Sequence, residues 1–372
     1  MPVPLIDLTR NKAQLAEVEA AVVRVVRSGQ YILGPEVENL EKELAAYLGG
    51  RHVLTMSSGT DALLCPLMAL GIGPGDEVVL PTYSFFATAG VVARMGATPV
   101  FVDVEPTFKN VAPARLDAAL KACRRPKEVI AVHLFGAACD LDAVTAVCRA
   151  HSVPLIEDAA QAIGTKHGGR MVGGAGLCAS WSTFPTKNFG GIGDGGFLTT
   201  ENTDLFETCR LLRNHGMAEQ YLHHSVGGNF RMDAIQAAAL RVKLRDMEHV
   251  TETRRANAER YRRLFAEADL LDWAELPKDT DRHAYHQFVL HVPAEQRDPA
   301  IAHLRRQGIG CAVHHPLPLH EQPCFAYLGA DPDAFPVADD AARRALALPI
   351  FQGLTEGEQI DVVGALANFV KK

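Results

Sequence analysis

Short apolar runs alternate with helical stretches through the first two thirds of the chain. The apolar runs occupy residues 77–81, 99–104, 129–135, 154–157, 179–184 and 196–199. Segments with helical periodicity fill the gaps, at residues 61–70, 86–95, 115–123, 143–151 and 203–213. Parallel strands are joined by helical crossovers and are buried on both faces. This order therefore predicts an α/β fold with a mostly parallel central sheet sandwiched by helices.

Helical patterns flank this α/β segment and continue into a smaller unit. Residues 15–27 and 37–48 show helical periodicity, and residues 233 to about 267 predict one long helix rich in Ala, Leu, Arg and Glu. The remaining elements are predicted as a strand, a helix, a strand and a closing helix at residues 286–292, 300–307, 310–315 and 355–370. We predict a large domain over residues 1–245 and a small C-terminal α+β domain over residues 246–372, joined by the long helix.

Composition excludes several classes of function. A net charge of −7 makes nucleic acid an unfavourable main partner. The eight cysteines form no C-x-x-C pair and have apolar neighbours, which favours reduced core residues and a cytoplasmic location. No His/Cys cluster has zinc-like spacing, so no metal is predicted. The N-terminus lacks a signal-peptide pattern, and no run approaches the roughly eighteen apolar residues of a membrane span.

One lysine directly follows an apolar strand, inside a loop that cannot form a helix. Lys187 lies in residues 181–188, WSTFPTKN, and four glycines follow at positions 190, 191, 193 and 195. Most lysines lie on solvated surfaces. A lysine held at the end of a strand can instead act as the nucleophile for a carbonyl cofactor.

Two other segments offer complementary chemistry. Residues 57–61, SSGTD, precede a helical run and either cap that helix or bind a phosphate at its N-terminus. Residues 154–161, PLIEDAAQ, form a strand that ends in acids, where Asp158 either caps a helix or holds a proton on a ring nitrogen. Gln161 lies within reach of the same ligand. A phosphate cradle, a carboxylate and a Schiff-base lysine are the parts that pyridoxal 5′-phosphate needs.

Motifs in matching order run through nearly the whole chain. They are QYILGP at 30–35, GTDAL at 59–63, GIGPGDEV at 71–78, GATPVFVD at 96–103, EDAAQ at 157–161, PTKN at 185–188, GDGG at 193–196, RNHG at 213–216, NFRMD at 229–233 and HHPLPLH at 314–320. With these motifs the chain resembles the DegT-type (DegT/DnrJ/StrS) sugar aminotransferases. These are fold type I, pyridoxal-phosphate-dependent enzymes that place an amino group on nucleotide-linked keto-sugars.

The resemblance implies a role for each matching residue at the cofactor. Lys187 would form the Schiff base and act as the catalytic base. Asp158 would pair with the pyridine nitrogen, and Gln161 would contact the ring hydroxyl. The phosphate would be held by Ser58, Gly59, Thr60 and Ser182.

An aromatic side chain is expected to stack on the cofactor ring. Phe85 stands where the family places this residue, although Tyr83 or Phe86 could take the position instead. Asn229 would reach the phosphate bound to the other subunit. The resemblance therefore implies a homodimer with shared active sites.

The resemblance assigns three residues to the sugar substrate: Tyr31, His314 and His315. His315 stands where the family often has a tyrosine. Adjacent histidines in a strand point to opposite faces, so this pair is a poor metal ligand set.

The implied reaction moves an amino group from an amino acid, L-glutamate, to a nucleotide-linked keto-sugar. Residues 229–244 look more like enzymes that aminate a 3-keto carbon than a 4-keto carbon. Related sugar dehydratases carry histidine at the position of Lys187, so the lysine favours transamination. A keto-cyclitol acceptor and a non-catalytic regulatory protein of the same fold stay open as alternatives.

Overall fold

The computed structural model describes residues 2–371, so residues 1 and 372, the outer limits of the predicted domains, lie outside the described residues. The helices are α1 Lys12–Ser28, α2 Pro35–Tyr47, α3 Gly59–Ala69, α4 Ala87–Arg94, α5 Pro113–Ala122, α6 Leu141–His151, α7 Thr203–Arg213, α8 Ala234–Leu244, α9 Met247–Glu267, α10 Ala294–Arg306, α11 Pro336–Arg344 and α12 Glu356–Val370. The strands are β1 His52–Met56, β2 Glu77–Pro81, β3 Thr98–Val102, β4 Pro126–Val132, β5 Leu155–Asp158, β6 Lys166–His167, β7 Arg170–Met171, β8 Cys178–Ser182, β9 Gly196–Thr200, β10 Met217–Glu219, β11 Leu222–His223, β12 Phe288–His291 and β13 Ala345–Leu348.

A seven-stranded sheet with the order β1-β9-β8-β5-β4-β2-β3 forms the centre of the molecule. The neighbouring pairs β3–β2, β2–β4, β4–β5 and β5–β8 are parallel. Strand β9 is antiparallel to both β8 and β1. The predicted mostly parallel sheet is confirmed, and each predicted strand of this region is present. Strand β1 was not foreseen, because this edge strand pairs only with β9, which follows it by some 140 residues in the sequence.

Helices cover both faces of this sheet, and alternate strand residues point to opposite layers. Val79, Val129 and Leu155 pack with α2, α5, α6 and α8 in one apolar cluster. Their chain neighbours Val78, Ile130 and Ile156 pack with α3, α4 and α7 in another cluster. The carboxyl ends of the parallel strands consequently meet at one edge between the two helical layers, where ligands bind in open α/β sheets.

The single long helix predicted from residue 233 is wrong. The structure has two helices, α8 and α9, separated at Arg245 and Asp246, and Asp246 has φ −101° and ψ 3°. Aspartate competes poorly as a helix-interior residue because its side chain finds other hydrogen bonds. Here the Asp246 carboxylate accepts a hydrogen bond from Gln14 Nε2 at 2.7 Å, and its carbonyl accepts one from Val250 N at 2.9 Å, which starts α9.

The C-terminal part of the chain contains a two-stranded antiparallel sheet, β12–β13, packed with α9, α10 and α12 around one apolar cluster. The predicted strand at residues 310–315 is wrong. That segment makes only an isolated bridge between Ala312 and Ala347, because irregular backbone follows it at once. The division into domains 1–245 and 246–372 stays a prediction. No helix within residues 2–371 is long and apolar enough to cross a membrane.

Candidate active site

A cavity of about 500 Å³ opens at the carboxyl edge of the sheet. Val132, Asp158 and Ser182 contribute to its wall from the ends of β4, β5 and β8. The polar and aromatic residues that line it are Thr60, Ser84, Phe85, Asp158, Gln161, Ser182, Phe184, Thr186, Lys187, Asp194, His286, Gln287, His314 and His315. The motifs that the sequence separates by more than a hundred residues thus meet in one place.

Lys187 lies partly buried in this cavity, in the loop between β8 and β9. The loop is held in place because Asn188 Nδ2 donates to the carbonyl of Ala284 at 2.8 Å. Among the described residues the Lys187 amine has no hydrogen-bond or ion-pair partner. Burial lowers the pKa of Lys187 to about 8, against the opposing charge of Asp158. The lowered pKa therefore increases the share of the amine that is the free base near neutral pH, which is the form that attacks a carbonyl.

Strand β5 ends in two acids that point to opposite sides of the sheet. Glu157 is fully buried and accepts hydrogen bonds from the backbone N–H groups of residues 173, 175 and 176 at 2.7–2.8 Å. His133 accepts from Cys139 N at its Nδ1, so its Nε2 carries the proton that is donated to Glu157 at 3.0 Å. Burial would raise the pKa of Glu157, but the His133 hydrogen bond and the N–H groups outweigh it and lower the pKa. Glu157 is thus fully satisfied away from the cavity.

Asp158 faces the cavity and is only 7% exposed. Its carboxylate accepts from Thr88 Oγ1 at 2.9 Å and from Ala160 N at 3.2 Å. Burial raises the pKa of Asp158, although these two hydrogen bonds and the Lys187 charge oppose the rise. A buried carboxylate with few donors gains most from a protonated partner, and a pyridinium N–H is such a partner.

The N-terminus of α3 and the end of β8 form a tight cradle at the other side of the cavity. The Ser58 hydroxyl caps α3 by accepting from Asp61 N at 3.0 Å. The next two backbone N–H groups, of Gly59 and Thr60, have no acceptor within the part of the chain that the structure describes. A Cβ on Gly59 would lie only 2.7 Å from the Ser182 Cβ. Gly59, Thr60 and Ser182 therefore come together at a helix N-terminus suited to an anion, whereas Ser58 does not line the cavity and serves the cap.

Gln161 and one aromatic residue complete the predicted cofactor set. The Gln161 Oε1 accepts from Phe135 N at 2.5 Å, so its amide nitrogen is the atom that can donate to a ligand. Phe85 is 60% exposed and lines the cavity. Tyr83 is fully buried, and Phe86 stacks on Phe325 with 5.7 Å between ring centroids. Of the three aromatic candidates, the structure brings Phe85 alone to the cavity.

Two histidines that were predicted to point apart both line the cavity. That expectation is wrong because His315 has φ +55°, a left-handed conformation that breaks the alternation of a strand. Burial lowers the pKa of His314 to about 4 and that of His315 to about 3. Both imidazoles are therefore neutral and offer hydrogen bonds without charge.

Sequence reasoning missed His286, which lines the same wall and is 7% exposed. Burial lowers its pKa well below the ordinary value, and the charge of Lys187 lowers it further. No motif marked this residue. The one available signal was a polar residue at the start of the predicted strand 286–292.

Besides Ser58, two predicted site residues lie outside the cavity of their own chain. Tyr31 is 44% exposed and its hydroxyl donates to the Val26 carbonyl at 3.2 Å. Asn229 is exposed, and its backbone forms an isolated bridge with Asn214. The structure does not bring these two residues to Lys187.

The cavity residues fit the predicted cofactor. Free N–H groups and a hydroxyl meet where a phosphate would bind, at a glycine that no larger residue could replace without a shift. A carboxylate with a raised pKa and a lysine amine that has no partner within residues 2–371 lie in the same cavity. These are the functional groups that pyridoxal phosphate requires for its phosphate, ring nitrogen and aldehyde.

Comparison with known proteins agrees with this geometry. The model of the DegT/DnrJ/EryC1/StrS aminotransferase family matches residues 13–367. A pleiotropic regulatory protein of Geobacillus stearothermophilus is 44% identical, over 100% of this chain and 99% of that protein. The UDP-N-acetyl-3-dehydro-α-D-glucosamine 3-aminotransferase of Acidithiobacillus ferrooxidans is 39% identical, over 96% of this chain and 95% of that protein.

A solved structure extends the match to the cofactor. The crystal structure of NtdA from Bacillus subtilis with bound cofactor PMP aligns with a TM-score of 0.92 and 29% identity, covering 100% of this chain and 86% of that one. The fold is therefore fold type I, as predicted. The chain belongs to the DegT/DnrJ/EryC1/StrS aminotransferase family and is a pyridoxal-phosphate-dependent aminotransferase.

Proposed function

We propose that this enzyme transfers the amino group of L-glutamate to a nucleotide-linked 3-keto-sugar and so produces an amino sugar. The main support is that Lys187, Asp158 and the free N–H groups of α3 share one cavity. Its volume of about 500 Å³ lies within the roughly 300–1,000 Å³ of small-molecule sites. The name of the Acidithiobacillus relative, at 39% identity, supports the 3-position.

Each cofactor residue has a defined task in this proposal. Bound pyridoxal phosphate supplies a sink for the electron pair that remains when the donor carbon loses its proton. Asp158 holds the proton on the ring nitrogen, for which its buried carboxylate is suited. Lys187 binds the cofactor covalently and, once free, takes the proton from the donor Cα through its amine. The pKa of about 8 supports that role, because the amine accepts and releases a proton near neutral pH.

The remaining cavity residues bind and orient. The Gly59 and Thr60 N–H groups and the Ser182 hydroxyl hold the phosphate, with the dipole of α3 adding to the attraction. Phe85 covers the ring, and the Gln161 amide donates to the ring hydroxyl. His314 and His315, which are neutral, hydrogen-bond the hydroxyl groups of the sugar.

A second copy of the chain completes the site in this proposal. Within residues 2–371, Lys187 is the one Lys or Arg side chain that lines the cavity, yet a nucleotide-linked sugar carries a diphosphate. Tyr31 and Asn229 are exposed and lie outside the cavity of their own chain. We therefore propose a homodimer in which Asn229 reaches the phosphate in the partner subunit's site and Tyr31 contacts the substrate there.

A substrate panel tests this function. The purified yellow holoenzyme is mixed with L-glutamate and, separately, with 3-keto and 4-keto nucleotide sugars and an inosose, and the products are identified by mass. We expect a 3-amino nucleotide sugar. Amination of 4-keto sugars alone would refute the position, and amination of the inosose alone would refute the nucleotide sugar.

A lysine variant checks that the product comes from this site. Lys187→Ala is expected to lose turnover and the visible absorbance change with glutamate. Lys121→Ala, at an exposed lysine on α5, is the matched control and should behave as the wild type. Turnover by Lys187→Ala at the wild-type rate would contradict the proposed catalytic base.

The name of the relative at 44% identity favours one second candidate, a regulatory role. Complementation separates the two functions. If a strain that lacks the gene is restored by Lys187→Ala as well as by the wild type, the protein has a role that needs no catalysis. If only the wild type restores it, the regulatory candidate fails.

A further inference from the structure

A second, smaller chamber of about 80 Å³ lies behind the loop that carries Lys187. One side is formed by the N-terminal segment, with Asp7 and Asn11, and the other by Lys243 at the end of α8 and Arg254 in α9. Lys187 lines both this chamber and the large cavity. We call it the cationic chamber. Its volume exceeds the roughly 10–15 Å³ that one water molecule needs.

Arg254 is buried in this chamber and has no counter-ion in the part of the chain that the structure describes. It is 3% exposed, and its Nη1 donates to the carbonyls of Tyr285, His286 and Ile350 at 2.9–3.1 Å. Its Nε is buried and has no partner among residues 2–371. A buried charge is costly unless it is paired. Burial lowers the pKa of Arg254 to about 10, which reflects this missing compensation.

Lys243 adds a second cation that is not neutralised. Its Nζ donates to the carbonyls of Gly190 and Gly191 at 2.6 and 3.3 Å, and burial lowers its pKa. Asp7 is the one acid that lines the described chamber, and it already accepts from Arg10 at 3.1 Å and from Thr9. The chamber therefore has an excess of positive charge.

Arg241, which lines another pocket of the same protein, differs from Arg254 in its partners. Arg241 in α8 lines that pocket with Glu36 and Glu43, and it forms ion pairs with both at 2.6 Å. Within residues 2–371, no acid forms an ion pair with Arg254, and Asp7 of the cationic chamber pairs with Arg10. Backbone carbonyls are therefore the acceptors that Arg254 has within residues 2–371, where Arg241 has two carboxylates.

We propose that the cationic chamber binds a carboxylate-sized anion. The guanidinium group of Arg254 offers planar N–H donors that match a carboxylate, and Lys243 offers an ammonium group. Because Lys187 lies between the chamber and the cavity, the carboxylate of the amino donor can supply this anion, and so can a free small anion. Of these two sources of the anion, only the carboxylate of the amino donor rests on the proposed function.

The first arm of the test measures anion binding without turnover. The melting temperature of the holoenzyme is followed as sodium acetate replaces sodium MES at constant ionic strength. A bound anion stabilises the folded state by mass action. We expect a saturable rise in the wild type and in the control Arg241→Gln, and no rise in Lys243→Gln or Arg254→Gln.

Either of two results would overturn the proposal: no acetate response in the wild type, or the same response in the charge-removed variants. Glutamine keeps one amide donor for the carbonyls that Lys243 or Arg254 now serves. If Arg254→Gln does not fold, as judged by circular dichroism, Lys243→Gln decides the question.

The second arm identifies the source of the anion. If the donor carboxylate binds, Lys243→Gln raises the KM for L-glutamate by about tenfold, as expected for the loss of one charge-assisted contact. The KM for the keto-sugar stays unchanged. If a free anion binds, acetate stabilises the protein and both KM values stay unchanged. The acetate arm does not depend on glutamate being the donor. The proposal that the cationic chamber binds an anion can therefore be refuted independently of the proposed function.

Discussion

The two sides of strand β5 give the same chemical group opposite tasks. On one side, Glu157 has four hydrogen-bond donors, and its pKa is lowered. On the other side, the neighbouring Asp158 has two donors and opens onto the cavity, and its pKa is raised. Burial is nearly the same for both carboxylates. The number of donors that the fold supplies, rather than burial, separates a structural acid from an acid left to bind a ligand.

Removal of the Asp158 charge should give the largest effect. In Asp158→Asn the amide oxygen can still accept from Ala160 N, and the amide NH₂ can donate to Thr88 Oγ1, so the fold is expected to persist. Activity should fall by about a thousandfold or more, because a neutral amide does not hold a proton on the ring nitrogen. Steady-state kcat/KM and the melting temperature measure the two properties. A variant within tenfold of wild-type activity would contradict the assignment of Asp158.

The reverse pattern is expected on the other side of the strand. Glu157→Gln places an amide NH₂ group among N–H donors that need an acceptor. We expect a loss of about 2–4 kcal/mol in the free energy of unfolding, measured by urea denaturation, while the residual folded enzyme keeps its kcat. Glu207→Gln on the exposed surface of α7 is the control and should lie within about 0.5 kcal/mol of wild type. A fall in kcat at an unchanged free energy of unfolding would contradict the structural role of Glu157.

A smaller change tests the donors of Asp158. Thr88→Val removes the hydroxyl that donates to Asp158 and keeps the shape of the side chain. With one donor left, the carboxylate is harder to keep ionised, and kcat/KM should fall by about tenfold at neutral pH. The loss should shrink as the pH rises, since higher pH restores the ionised acid. A pH-independent loss would assign Thr88 a purely structural role.

The pH dependence of stability should have opposite signs for the two acids. The pKa of Glu157 is lowered in the folded state, so its contribution is present above the unfolded value of about 4.5 and is lost as the pH falls. The penalty of Glu157→Gln should therefore shrink in acid. The pKa of Asp158 is raised, so the ionised acid costs stability as the pH rises through its folded value.

Asp158→Asn should accordingly stabilise the cofactor-free protein at pH 7, by up to about 1 kcal/mol. Urea denaturation at pH 4 and pH 7 checks both signs. Equal effects of the two variants at both pH values would show that the donors do not separate the acids.

Much of the site could be predicted from sequence because its parts lie at the ends of regular elements. Asp158 and Lys187 follow apolar strands, and Gly59 begins a helix, so their positions at one edge follow from the parallel order. Phe85 was harder. Three aromatic residues in a short turn have no periodicity, and only packing against Phe325 removes Phe86 from the cavity. His286 had no motif at all.

The errors have a common cause. The strand expected at 310–315 and the single helix expected from 233 both depended on local pattern. A left-handed residue, His315, and a hydrogen bond from Gln14, 232 residues away, decided these two cases. In the helix, a distant hydrogen-bond partner outweighed local propensity, whereas in the strand a left-handed residue interrupted the extended backbone.

The amino-acid sequence by itself determined the α/β alternation and the cofactor, and it predicted Lys187 as the catalytic lysine, because periodicity and the order of motifs are local properties of the chain. Only the tertiary structure decided how many hydrogen-bond donors each of the two adjacent acids receives, which aromatic lines the cavity and which arginine lacks an acid. These outcomes depend on the donors, rings and charges that arrive from distant segments. The interaction energies between these groups arise only when the chain is packed and water is excluded.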